Sequence, residues 1–115
     1  MEANAEKSKS EILPGTLEML ILKTLARCGA MHGYGIAKYI RQTTEEVLRV
    51  EEGSLYPALQ RMLIKGWVTA EWVQSGPKRR ARVYRLTPTG RKQLTAELSE
   101  FTRVMQAITR VIEPA

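Results

Sequence analysis

Thr87-Pro88 opens a segment that limits the possible folds more than any other part of the chain. Leu94, Leu98, Phe101, Met105, Ile108 and Ile112 follow at spacings of 4, 3, 4, 3 and 4, the repeat of an apolar seam on one long helix. Thr87 suits the N-cap and Pro88 the first helical position, where a missing N–H costs little. From Pro88 to Ile112 such a helix would run about 37 Å at about 1.5 Å per residue. A domain of this size has a radius of gyration of only about 13 Å. The helix therefore overshoots its own domain, and its seam needs a cover. A second copy of the chain is one solution, because most soluble oligomers are symmetric homodimers. The first helix of the same chain is the other. Length favours the second copy, which makes these six residues the expected dimer interface.

The 115 residues leave room for one modest core. Residues 1–11 are polar and aperiodic and read as a disordered N-terminal tail. Pro14 suits the first turn of a helix that carries Leu17, Leu20, Ile21, Leu25 and Cys28 on one face and stops before Gly29. His32-Gly33-Tyr34-Gly35 reads as a turn. A second helix follows, with Ile36, Ala37 and Ile40 inward and Lys38, Arg41 and Gln42 outward. A third begins near Gly53-Ser54, with Ser54 as N-cap and Pro57 at the third helical position. Its inner face is Leu55, Ala58, Leu59, Met62 and Leu63. Its outer face is Pro57, Gln60, Arg61 and Ile64, flanked by Ser54 and Tyr56. Two β-rich runs, 67–73 and 81–87, are joined through Gly76-Pro77 as a hairpin with a basic tip. The expected fold is α+β, mainly α: a winged helix-turn-helix over 12–87 and a long C-terminal dimerisation helix over 88–115.

Charge is informative by position. The net charge is +6, from 18 basic and 12 acidic side chains. Lys78, Arg79, Arg80, Arg82, Arg85, Arg91 and Lys92 fall in one window that holds no acid. Outside it, 11 basic residues stand against 12 acidic ones. Such a segment on an otherwise neutral chain suggests a phosphate-facing element. The outer face of the third helix suits a major groove about 12 Å wide. Its N-terminus is the expected meeting point for a phosphate. Gly53 permits close backbone approach, and Ser54 and Tyr56 offer hydroxyls. Gln60 and Arg61 are the expected base readers, because amide and guanidinium groups match adenine and guanine edges. Lys78, Arg79 and Arg80 would lie on the backbone or in the minor groove. Double-stranded DNA is thus the expected partner. The competing reading is a winged-helix protein–protein interaction module whose basic wing docks an acidic partner. That face would then need an apolar patch, and Ile64 alone supplies one. Tyr34 suits either DNA contact or cover of the core.

Catalysis has little to build on. The chain has no aspartate and one histidine, His32, so neither a four-ligand zinc site nor a supported triad is available. No phosphate-binding Gly-Lys-Ser/Thr loop occurs. No enzyme activity, metal or cofactor is expected. With one cysteine there is no intramolecular disulfide, and Cys28, on an apolar face, reads as a buried inert thiol. Trp67 and Trp72 are expected to pack in the core or anchor the hairpin. No run is long and apolar enough for a membrane span, and residues 1–11 lack a signal core, so a cytoplasmic location is expected.

Three strings carry a resemblance: Leu17 to Leu25, then His32-Gly33-Tyr34-Gly35-Ile36-Ala37, then Glu52-Gly53-Ser54-Leu55-Tyr56-Pro57-Ala58-Leu59. Together they resemble the PadR family of bacterial transcriptional regulators. Tyr84-Arg85-Leu86-Thr87-Pro88-Thr89-Gly90 is similar to the end of that family's wing. The resemblance covers about residues 13–112. It implies a homodimer joined through the first and last helices, with Leu17 at the interface, and repression by operator binding. It also implies that Tyr34, Ser54, Tyr56, Pro57, Lys78, Arg79 and Arg80 lie at the DNA. Some members release DNA when an aromatic compound binds at the dimer interface, one kind stacking flat drugs between helical tryptophans. A small aromatic effector is thereby a candidate ligand, although Phe101 is the only aromatic of this last helix.

Overall fold

The structure is a computed structural model and describes residues 15–114. The expected tail and the helical placement of Pro14 lie outside the described residues. Helix α1 (Thr16–Cys28) is followed by β1 (Met31–His32), α2 (Gly33–Thr43), α3 (Glu52–Ile64), β2 (Val68–Gly76), β3 (Arg79–Leu86) and α4 (Pro88–Ile112). The three helices, the hairpin and the long last helix appear in the order that periodicity predicts. Ile21 and Leu22 of α1, Ile36 of α2, Leu55 and Leu59 of α3 and Val68 of β2 are sealed from solvent in one cluster. Thr24, buried among them on α1, satisfies its hydroxyl by donating to the Leu20 carbonyl at 2.7 Å. No described helix is long and apolar enough to cross a membrane.

The sheet is antiparallel, in the order β1-β3-β2. Several local expectations need correction. His32-Gly33-Tyr34-Gly35 is not a turn: Met31 and His32 pair with Tyr84 and Val83, and α2 begins at Gly33. Pairing with β3 extends this short segment, and nothing in its own sequence does so. Helix α3 also starts earlier. Glu51, not Ser54, is the N-cap, and its carbonyl accepts from both Ser54 N–H and Leu55 N–H at 2.9 Å. Pro57 therefore stands inside the helix and cannot donate to the Gly53 carbonyl. Gly53 is exposed, so that carbonyl can turn to solvent and the loss is small. In the hairpin, pairing continues to Gly76↔Arg79 past an irregularity between Gln74 and Gly76. Arg79 and Arg80 are consequently strand residues, and only Pro77-Lys78 forms the turn. Cys28 is exposed rather than buried, because burial along α1 ends at Ala26.

Helix α4 is docked where the hairpin begins and ends. Thr87 Oγ1 accepts from Gly90 N–H at 2.9 Å, the expected cap, and lies 2.7 Å from the Gly66 carbonyl and 3.0 Å from that of Trp67. Gly90 is buried against the same Trp67 carbonyl, and a Cβ there would lie 2.1 Å from that oxygen. A side chain is thus excluded, and the first turn of α4 is clamped to the start of β2. The seam divides. Leu94 is buried and Leu98 half-buried within their own protomer, and Leu17 packs on the same core. Phe101, Ile108 and Ile112 are exposed. Of the two coverings foreseen for the seam, α1 of the same chain takes the first half, and the second half projects. The Cα radius of gyration is 16.2 Å and the longest extent 60 Å, as a helix longer than its domain requires.

Replacing Gly90 with Ala is expected to lower stability by roughly 1–3 kcal/mol, since backbone must move to admit the methyl group. Thr87→Ala should cost about 1 kcal/mol through the lost cap. Urea unfolding followed by circular dichroism measures both. A Gly90→Ala midpoint equal to that of the unmodified chain would refute the clamp.

Candidate nucleic-acid interface

Burying Leu55, Ala58, Leu59 and Met62 turns the other side of α3 to solvent, so Gly53, Ser54, Pro57, Gln60 and Arg61 are all exposed. Gln60 has no hydrogen-bond partner among the described residues. Arg61 differs: its Nε donates to Glu18 Oε2 of α1 at 3.0 Å, with the Glu18 side chain only 16% exposed. The guanidinium expected to read a base is thus already held by α1 through one of its five donors.

Tyr56 joins α3 to the start of α2. Its ring lies against Gly33, where a Cβ would approach Tyr56 Cε1 to 2.8 Å. Partial burial, then the Glu52 carboxylate, then Tyr84 push the Tyr56 phenol above its ordinary pKa. Tyr34, one residue further along α2, is 65% exposed and leaves the core uncovered by its ring. Tyr34, Lys38, Tyr56 and Arg82 border one cleft of about 540 Å³, where α2, α3 and the hairpin meet. Its ionisable side chains other than the phenols are Lys38, Arg82 and His32. A second cleft, of about 410 Å³, opens beside it between α2 and α3. There Lys38 and Arg41 face Glu51 and Glu52. The α3 N-terminus, expected to receive a phosphate, thus carries two carboxylates, and its Ser54 N–H is already bonded to Glu51. Glu52 itself answers the positive end of the helix dipole. The more favourable ground for an anion is the first cleft.

On the hairpin, Arg80, Arg82 and Tyr84 of β3 share one face with their cross-strand partners Gln74, Trp72 and Ala70 of β2. Tyr84 is buried, so this is the face turned to the helices. Arg80 Cζ lies 4.9 Å from the Trp72 ring centroid, and Arg82 Cζ lies 5.6 Å from Trp72 and 6.0 Å from Tyr84. Cations and rings therefore alternate along it. Trp72 is 55% exposed and lies outside the core, while Trp67 packs against it. Beyond the tip residues Lys78, Arg79 and Arg80, the register adds Arg82 and Trp72 to this surface. The available signal was the two-residue spacing of Arg80, Arg82 and Tyr84, which puts them on one face of a strand.

A third hollow, of about 510 Å³, runs between the first turn of α1 and the projecting half of α4. Thr16, Met19, Phe101, Met105 and Ile108 line it, with Glu97 and Glu100 at its border. Ile112 lies beyond it near the helix end. Among the described residues no three His, Cys or Glu side chains are grouped to hold a metal ion.

The model of the transcriptional regulator PadR-like family matches residues 21–96. A transcriptional regulator of Clostridium thermocellum is 28% identical, with a TM-score of 0.80 over 86% of this chain and 95% of that one. PadR of Bacillus subtilis, solved in complex with operator DNA, is 27% identical, with a TM-score of 0.66 over 73% of this chain and 47% of that one. Among curated sequences, the negative transcriptional regulator PadR of Bacillus subtilis is 27% identical over 70 residues, 61% of this chain and 38% of that protein. The chain thus spans well under half of that relative's length.

In an ultraviolet pH titration, Tyr56 is expected to ionise above about pH 10. Tyr56→Phe should remove that late component, and Glu52→Gln should shift it downward. Because the folded value is raised, the stability it contributes is complete below about pH 10 and is lost as pH rises through the folded value. Tyr56→Phe should therefore flatten the alkaline fall in stability. A late component that survives Tyr56→Phe would assign it elsewhere.

Proposed function

The chain belongs to the transcriptional regulator PadR-like family, and from that membership we propose that it is a homodimeric repressor acting on a two-fold related operator in double-stranded DNA. One observation carries the reading: α2, α3 and the hairpin converge on a single basic cleft beside the exposed polar face of α3. A major groove can receive that face while the hairpin follows the phosphates. The operator-bound Bacillus subtilis relative supports DNA as the partner. In this reading Gly53 lets the backbone approach, and Ser54, Tyr56 and Pro57 bear on the sugar-phosphate backbone together with Tyr34. Gln60 reads base edges, and Arg61 does so on release from Glu18. Lys78, Arg79 and Arg80 bind phosphates.

The projecting half of α4 supplies the dimer surface, with Phe101, Met105, Ile108 and Ile112 at its centre. Leu17, Leu94 and Leu98 support that surface from within the protomer. The hollow beside α1 falls within the roughly 300–1,000 Å³ of ordinary ligand pockets and is largely apolar. A small aromatic effector seated there would meet both α1 and α4, the elements that join the protomers, and would release the DNA by shifting them.

Fluorescence anisotropy of the chain's own promoter region against a random duplex tests the central claim. Tighter promoter binding with a steep inverse salt dependence is expected. Replacing Lys78, Arg79 and Arg80 by Ala should weaken both duplexes alike and reduce the salt slope by up to about 2.7 per protomer. Gln60→Ala should instead change the preference among sequences by roughly 1–3 kcal/mol. Absence of binding to either duplex at low salt would overturn the reading in favour of a wing that docks an acidic protein.

Ile108→Glu puts a charge on the projecting seam without touching the buried core. Sedimentation should then show a monomer where the unmodified chain gives a dimer, with promoter binding weakened. An Ile108→Glu variant that remains dimeric would exclude this seam as the interface.

A further inference from the structure

The helix-facing side of the hairpin holds a group that neither the tip nor the α3 readers account for. Arg82 is only partly exposed, and its Nε is out of solvent contact with no hydrogen-bond partner among the described residues. A guanidinium carries five donors in a fixed fork, and leaving one buried and unused is costly. The described residues lining its cleft, including Lys38, Tyr34 and Tyr56, contain no carboxylate. Carbon-rich contacts hold it instead. Trp72 lies under both Arg82 and Arg80, and Tyr84 continues the stack. Among the described residues, Lys78 and Arg79 have no such ring.

We propose that Arg82 and Arg80, aligned by the Trp72 ring, form a phosphodiester clamp at the inner face of the wing, with Arg82 as its anchor and Lys38 and Tyr56 across the cleft. This rests on the DNA reading above and moves the main wing contact from the tip to the strand. Residues two apart on a strand have Cα atoms about 6.8 Å apart, comparable to the step between neighbouring phosphates along one DNA strand. A pair at that spacing suits two consecutive linkages better than one free anion. The stack fixes the orientation of both guanidiniums before DNA arrives, so less side-chain freedom is lost on binding. Trp72 carries no charge and is a positioning residue.

The test uses the full chain and a promoter duplex, by anisotropy over a range of chloride concentrations. Arg82→Gln is expected to lose roughly tenfold to a hundredfold in affinity, the range for a hydrogen bond to a charged group. Its salt slope should fall by about 0.9 per protomer. Lys78→Gln should lose less affinity. Trp72→Leu should also flatten the slope although no charge is removed, while Trp72→Phe restores it; thermal melting of both separates positioning from folding. Arg82→Lys keeps the charge but not the fork, and covers the case in which Arg82→Gln unfolds. It should hold the slope and still bind more weakly. A duplex with one neutral methylphosphonate linkage under the wing should weaken the unmodified chain and cost Arg82→Gln nothing more. Replacing chloride by inorganic phosphate at equal ionic strength should leave binding unchanged; strong competition would identify a small-anion site and overturn the clamp. If the unmodified chain binds and Arg82→Gln matches Lys78→Gln in affinity and slope, the clamp is wrong and the DNA reading stands. If the unmodified chain binds no duplex, both fall.

Discussion

Helix α1 is the surface on which the other elements are assembled. Ile21 and Leu22 are adjacent in sequence and about 100° apart around the helix, yet both are completely sealed. That requires cover from more than one side, and α2, α3, β3 and α4 all pack on α1. The angle of α3 to the hairpin, and hence the shape of the basic cleft, follows from how these elements share α1. So does the direction in which α4 leaves the domain, since its first turn is clamped at Gly90 and its Leu94 is buried in the same core.

The same helix joins the two regions of interest. Thr16 and Met19 line the hollow beside α4, and Glu18, between them in sequence, holds Arg61 of α3. The first turn of α1 therefore touches both the projecting half of α4 and the outer face of α3. The connection is one ion pair at 3.0 Å with its carboxylate largely buried, better shielded from water than an exposed surface pair. Elsewhere two carboxylates gather in one cleft, where Lys38 and Arg41 face them. Glu51 and Glu52 occupy the start of α3, whereas Lys38 and Arg82 occupy the neighbouring cleft, so an anion is favoured at the wing base over the helix end.

Much of this was legible before the fold was known. Period-3.6 patterns mark α1 and α4, Thr87-Pro88 gives the α4 boundary to the residue, and β-branched runs mark the hairpin. What escaped was set by neighbours. Met31 and His32 are a strand only because Val83 and Tyr84 offer a free edge. Ser54 has the chemistry of an N-cap, but the Glu51 carbonyl starts the helix earlier. Cys28 has the spacing of a core residue and lies beyond the point where burial ends. Arg82 looked like one more basic residue near the tip, and only the register with Trp72 distinguishes it.

The sequence by itself determined the four helices and the hairpin in their order, where α4 begins, and that positive charge gathers on the hairpin. These are local matters of periodicity, capping and composition, written within a few residues of where they act. Tertiary structure decided which half of the α4 seam is covered, which arginine is tied to Glu18, and which is stacked on Trp72. Those outcomes depend on distances between residues such as Glu18 and Arg61, 43 positions apart. Only packing around α1 brings such groups together, because no local pattern encodes the position of a distant partner.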